Sequence, residues 1–436
     1  MKKILPIFLA VLFLSACAGQ ETARDTYVAG QEDDEMAIVL SDSKETLVLG
    51  IYPTVDDPLR QSVFYFNTTN PLYQIALKEY EDSDQLNADI MTGRAPDIIL
   101  LPPYFMMDIY ADKGVFADLY PLLDADPGID RADLQENILR AYETGGQLFA
   151  MPVTYYIMTA TAARANMGEM SSWTLDEMIA YANGLLPESH VFSYHSKSAV
   201  LDLCLMLSFE QLVGWRDGGL FDRDLFLKII HFANQFTPDH YYKSGLIFDQ
   251  IRDGQVQVEA RPVYDLSSVQ FLRFIFNEPI VYIGYPTDDG NGSFARSETL
   301  VAISQSCPYP EAAWSFLRSM LDEVPQFNFA NISLSLPIRK SALEEYMYNY
   351  VLTNRPGGRI TFRGSDVVFE FYRATEDEKQ ELRDLIDSIT KIRSWDARID
   401  DILREEAQAF LTGEKSADDA ADIAANRIEI YLSEIR

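Results

Sequence analysis

An α/β fold is what this sequence predicts, on three observations. Thr46-Leu47-Val48-Leu49-Gly50-Ile51 and Asp97-Ile98-Ile99-Leu100-Leu101 are short, nearly continuous apolar runs, the pattern of strands buried on both faces. Segments with helix-capping residues separate runs of this kind. Strands that alternate with helices build parallel layers covered by helices.

The chain begins with a basic Met1-Lys2-Lys3, then an apolar run from Ile4 to Leu14, which is too short to span a bilayer. Leu14-Ser15-Ala16-Cys17 follows, with Ala18-Gly19-Gln20 behind it. This order resembles a bacterial lipoprotein signal. The resemblance implies that residues 1–16 are a signal peptide and that the Cys17 thiol receives a lipid. Residues 17–44, with the acidic run Gln31-Glu32-Asp33-Asp34-Glu35, read as a flexible tether.

Ordered structure is expected from Thr46. Leu72 to Leu77 is a second strand. Ser83 is placed to cap a helix through Met91, with Gly93 just past its end. Pro102-Pro103 breaks the strand of Asp97 to Leu101. Leu148 to Val153 and Tyr155 to Ala160 are strand-like. Thr174-Leu175-Asp176-Glu177 is a capping box opening a helix, and helical patterns dominate from about 197 to 235. Ile280 to Tyr285 reads as a strand, Asp288 to Gly292 as a turn, and Thr299 to Ile303 as a strand. Pro310 opens a helix that carries Ala313, Trp314 and Leu317 inward. The C-terminal third is helical. One stripe runs Ile402, Leu403, Ala407, Phe410, Leu411, and the last helix has Ala420, Ile423, Ala424, Ile428 and Leu432 as its inner face.

Composition excludes several functions. The 436 residues hold 36 basic and 67 acidic side chains, a net charge of −31. A nucleic-acid footprint needs a basic surface, and adhesion to anionic lipid needs basic segments. The hydrophobic fraction of 47% is that of a folded chain. Cys204 and Cys307 allow one disulfide by count, but Cys204 lies among Val200, Leu201, Leu203 and Leu205, where a buried thiol is the ordinary reading.

Catalytic and cofactor signatures are missing. None of the four histidines sits in HExxH, and there is no CxxC, GxxxxGK[ST] or GxGxxG. No cofactor and no metal are therefore expected. Carboxylate pairs are too common among 67 acids to single out a glycosidase pair. What the chain does have is aromatic residues, 25 Phe, 24 Tyr and 4 Trp. Most belong in cores. A tyrosine at a strand end, however, offers a flat ring for a sugar's apolar face and a hydroxyl for its rim.

Several stretches, in order, resemble the extracellular solute-binding proteins of ABC importers, the maltose-binding type. They include Pro96-Asp97-Ile98-Ile99, Gly114-Val115-Phe116-Ala117-Asp118-Leu119, Leu148-Phe149-Ala150-Met151-Pro152-Val153, Trp173-Thr174-Leu175-Asp176-Glu177, Asp253-Gly254-Gln255-Val256 and Glu311-Ala312-Ala313-Trp314-Ser315-Phe316-Leu317. The resemblance implies a two-lobed periplasmic-binding-protein-like fold with a hinge between the lobes and a helical C-terminal region. It divides the chain into a first lobe (45–153), a second lobe (154–284), a return to the first (285–338) and a helical second part of the second lobe (339–436). It also points to ligand-contacting positions. The loop after the Pro-Asp-Ile-Ile strand holds Tyr104, at a strand end where ligands of open sheets collect. The position just past the first crossing falls on Tyr155 or Tyr156. An aromatic platform falls on Tyr264, with Arg261 nearby.

The leading expectation is a non-enzymatic, lipid-anchored protein on the extracytoplasmic face of the cell membrane. It captures a solute, a sugar or oligosaccharide foremost, and delivers it to an ABC permease. The alternatives are a lipid-anchored glycan-processing enzyme, and a sensor or non-sugar binder on the same fold.

Overall fold

The computed structural model describes residues 40–52, 57–102, 105, 107–111, 113–186, 188–193, 196–213, 221–237, 247–287, 290, 292–349, 358–361, 367–393 and 395–435. Cys17, Tyr104 and three residues of the expected turn (Asp288, Asp289, Asn291) lie outside them.

Two sheets organise the chain. Its strands are β1 (Glu45–Ile51), β2 (Tyr73–Glu79), β3 (Ile98–Leu101), β4 (Ala150–Pro152), β5 (Thr154–Ala163), β6 (His190–Phe192), β7 (Val256–Val263), β8 (Ile280–Tyr282), β9 (Phe294–Arg296), β10 (Leu300–Ile303) and β11 (Leu336–Pro337). A further hairpin pairs Arg359–Thr361 with Val368–Glu370. The first sheet has the order β2-β1-β3-β10-β4. β1 runs parallel to β2 and β3, whereas β10 is antiparallel to both β3 and β4. The second sheet has the order β11-β5-β7-β6, with β8 and β9 also bonded to β5. Only β6 and β7 are parallel there. The parallel layering expected from strand–helix alternation thus holds for β1, β2 and β3, while most of the second sheet is antiparallel.

The long strand β5 reads Thr-Tyr-Tyr-Ile-Met-Thr-Ala-Thr-Ala-Ala, alternating apolar and polar only from Met158 to Ala162, and every residue of it is buried. Both faces are covered. Tyr155, Ile157 and Ala163 enter one core, and Tyr156, Met158, Ala160 and Ala162 the other. Successive side chains of one strand therefore serve two separate cores.

Local signals set the element ends, with some differences from expectation. The helix Ser83–Met91 is capped by Asp82, whose carboxylate accepts from the Gln85 amide at 2.9 Å, not by Ser83. The Thr174–Glu177 capping box forms as read. β8 stops at Tyr282, short of Tyr285, because Gly284 turns the chain at φ +64°. A side chain at Gly292 would stand 1.9 Å from the Tyr285 carbonyl, so the two segments approach as only glycine permits. In the last helix, Ala417–Ile435, Ile423 is 37% exposed and Ala421 is buried instead. Cys204 and Cys307 are free, buried thiols, and burial pushes them up to about 12 and about 11. No described helix is long and apolar enough to cross a membrane.

Two segments cross between the sheets side by side, and a third, β11, lies against them. β4 runs into β5 through Val153, whose amide donates to the Thr299 carbonyl at 2.9 Å. β9 pairs with β5 although it falls within 285–338, so the return to the first sheet is made at Ser297 to Thr299. β11 pairs with the start of β5, Leu336 opposite Tyr155. Buried Gln326 braces the junction by donating to the Val153 carbonyl at 2.8 Å. Behind it lies the helix Glu376–Asp387. Its Glu381 accepts from Arg273 Nε and the Tyr282 hydroxyl of the second lobe, each at 2.8 Å. At its other end Asn137 of the first lobe donates to the Ile386 and Ile389 carbonyls at 2.7 and 3.1 Å.

Candidate functional site

The crossings bring a small group of side chains together. Tyr156 stands on β5 just past the first crossing, and its hydroxyl donates to Glu298 Oε1 at 2.7 Å. The same carboxylate oxygen lies 2.8 Å from Arg296 Nη2. The Arg296 guanidinium sits 5.7 Å from the Tyr156 ring centroid. On the same ring packs Tyr264, centroids 4.9 Å apart and planes tilted by 48°.

Each position follows from local sequence. Tyr264 directly follows β7, and the next residue, Asp265, caps the helix Leu266–Phe276 by accepting from the Ser268 amide at 2.8 Å. The cap turns the chain and leaves the Tyr264 ring half-buried beside Tyr156. Arg296 and Glu298 flank Ser297 on the return crossing. The Ser297 hydroxyl accepts from the Thr299 amide at 3.2 Å, which fixes that bend.

A small pocket, with room for about one water, lies next to Arg296. Phe105 and Tyr142 from the first lobe, Arg296 and Ser297 from the crossing, and Ile392 and Arg393 from the C-terminal region line it. Arg393 is 6% exposed, and its Nη1 donates to the Leu207 and Met206 carbonyls at 2.5 and 3.1 Å. Its guanidinium lies 4.8 Å from the Phe294 ring centroid. Hydrogen-bonded guanidinium groups, a carboxylate and exposed ring edges are the parts that bind a polar solute with apolar faces.

The positions read from the sequence divide between the two faces of β5. Tyr156 and Tyr264 come together at the group just described. Tyr155 is fully buried in the opposite core, where desolvation pushes its hydroxyl far above the usual range, and it offers no surface to a solute. Arg261 pairs on that opposite face with Thr159. Its Nε donates to Glu259 at 3.1 Å, and its guanidinium lies 5.0 Å from the Phe271 ring centroid. Glu259 is itself buried, and loss of solvent raises its carboxyl above the ordinary range against the pull of Arg261. Tyr104 lies outside the described residues, while its neighbour Phe105 lines the pocket. Sequence reasoning missed Arg296, Glu298 and Arg393. The only signal for the first two was a charged pair, two apart, between strands; for Arg393 there was none.

The chain matches the family described as bacterial extracellular solute-binding protein over residues 65–349. No curated protein sequence matches it. Solved structures similar in fold include the sugar-binding protein MalE from Xanthomonas citri, at 14% identity and TM-score 0.55, covering 89% of this chain and 98% of that one. A periplasmic oligogalacturonide-binding protein from Yersinia enterocolitica is similar at 13% identity and TM-score 0.55, covering 90% and 100%. An ABC substrate-binding protein from Listeria monocytogenes, in complex with cycloalternan, is similar at 15% identity and TM-score 0.51, covering 89% and 99%.

Proposed function

The chain belongs to the bacterial extracellular solute-binding proteins, and from that premise we propose that it captures a saccharide between its lobes and presents it to an ABC permease, without chemical turnover. The observation that carries this reading is the Tyr156–Tyr264 ring pair with Arg296 and Glu298 at the crossings. A ring at this junction can cover the apolar face of a sugar while the charged groups meet its hydroxyls. Fold neighbours whose names specify sugar ligands support the same class. Closure moves the lobes as bodies about the crossings, and the solute stabilises the closed form by touching both.

The protein is held at the extracytoplasmic face by a lipid on Cys17. The Leu14-Ser15-Ala16-Cys17 run behind a basic start supports this. Small-angle scattering of the purified protein with and without oligosaccharides tests the capture reading. Compaction with a binding saccharide that is recovered intact is expected. Tight binding without compaction refutes hinge closure, and a cleaved saccharide refutes the absence of turnover. Cys17→Ala is expected to lose membrane partitioning, and unchanged mass and partitioning would remove the anchor.

A further inference from the structure

The two oxygens of Glu298 are used unequally. Oε1 accepts from the Tyr156 hydroxyl at 2.7 Å and stands 2.8 Å from Arg296 Nη2, whereas Oε2 has no hydrogen-bond partner among the described residues. The side chain is 45% exposed, so Oε2 is a carboxylate oxygen left to solvent on the segment that joins the two lobes. Its side of that junction follows from the strand faces. Arg296 stands opposite Tyr156 in the β5–β9 ladder, so both side chains leave one face of the sheet. Tyr155 leaves the other face, where it shares a core with Leu382, Leu385 and Ile386 of the helix Glu376–Asp387. That helix closes the junction from behind. Glu298, bonded to Tyr156, stands on the opposite side, next to the half-buried ring of Tyr264.

We propose that Glu298 Oε2 selects the solute: it accepts a hydrogen bond from a saccharide hydroxyl and turns away a carboxylate, so that the captured saccharide is neutral rather than a uronate. The inference rests on the solute-capture reading above. A hydroxyl donated to an ionised oxygen makes a charge-assisted hydrogen bond. A second carboxylate has no proton to donate and meets like charge at the same place. The Arg296 guanidinium is already balanced by Glu298 itself, so the pair offers an incoming anion no net attraction. The chain's 67 acidic against 36 basic residues act in the same sense at longer range. Tyr156 holds Oε1 through a buried ring, which fixes the direction of Oε2 before any solute arrives. A sugar lying on the Tyr264 ring would bring its hydroxyl rim towards that oxygen.

Calorimetry on the purified protein tests the proposal, with mannotriose and maltotriose as neutral probes and a galacturonate trimer as the acidic one. A neutral trimer is expected to bind at least about tenfold tighter than the acidic trimer, the scale of one charge-assisted hydrogen bond. Glu298→Gln keeps an oxygen for the Tyr156 hydroxyl but removes the charge. It is expected to hold its melting temperature, to lose about tenfold in affinity for the neutral trimer and to bind the acidic trimer no more weakly than the parent does. A purely structural role for Glu298 would weaken both alike. An acidic trimer that binds the parent as tightly as the neutral ones overturns the selection and leaves saccharide capture standing. So does a Glu298→Gln protein whose affinities for neutral and acidic trimers fall together or stay unchanged. Binding of none of the trimers overturns both readings.

Discussion

The Tyr156 hydroxyl, on the first strand of the second lobe, donates at 2.7 Å to Glu298, on the segment that carries the chain back to the first lobe. The hydrogen bond spans two adjacent crossings and positions the carboxylate that also holds Arg296. Tyr156 is 6% exposed, whereas Tyr264 on its other side is half-buried.

That difference separates two variants. Tyr264→Ala is expected to weaken saccharide binding by about 1–3 kcal/mol, the scale of burying an aromatic side chain, with little change in melting temperature. Tyr156→Ala is expected to lower stability by about 3–5 kcal/mol, as for other buried rings, and Tyr156→Phe by about 1 kcal/mol for the lost hydrogen bond. Melting and calorimetry on all three decide it. A Tyr264→Ala protein that melts early and binds normally would make that ring purely structural.

Asn137 joins the first lobe to the C-terminal end of the helix Glu376–Asp387 through two carbonyls. Asn137→Ala strips both carbonyls of a donor and is expected to cost about 1–2 kcal/mol. The amides of 376–389 should then exchange hydrogen faster, because the helix loses its tie to one lobe. Unaltered exchange in that segment would show that apolar packing alone holds it.

Glu344 accepts from Arg383 at 2.6 and 2.8 Å, and these hydrogen bonds hold its carboxyl below the ordinary range. A depressed folded value stabilises the protein above the unfolded value of about 4.3, and that stability is lost as pH falls through the folded value. The side chains are 54% and 29% exposed, so solvent screens the pair and its contribution is a few tenths of a kcal/mol. Glu344→Gln is therefore expected to melt slightly earlier at pH 7 and to match the parent near pH 2.5. A gap between the two that persists at pH 2.5 would assign the loss to packing.

Cys204 and Cys307 are expected to resist alkylation at pH 8 in the folded protein and to react on denaturation, since burial raises both thiols. Mass spectrometry after iodoacetamide reads this directly. Rapid native labelling of Cys204 would require the second-lobe core to open readily.

Much of the site's framework was legible along the chain. Tyr156, just past the Pro152-Val153 crossing, and Tyr264 were located by the resemblance to solute-binding proteins, and in the fold Tyr264 directly follows β7 before a capped helix. Tyr155 and Arg261 are sequence neighbours of those positions but project from the opposite strand face. In an amphipathic strand, alternation would have revealed this. β5 is buried on both sides, and its start around Tyr155 and Tyr156 shows none.

The sequence by itself determined the apolar strands, the Thr174 and Pro310 helix starts, the acidic surface and the α/β class, because these depend on residues a few positions apart. Only the tertiary structure decided the largely antiparallel second sheet, the side-by-side crossings and the meeting of Phe105, Arg296 and Arg393 in one pocket. Those residues are far apart in the chain, and nothing local constrains their distance. Closing such long loops costs entropy that only cooperative burial of two cores offsets. Their juxtaposition is therefore a property of the folded whole.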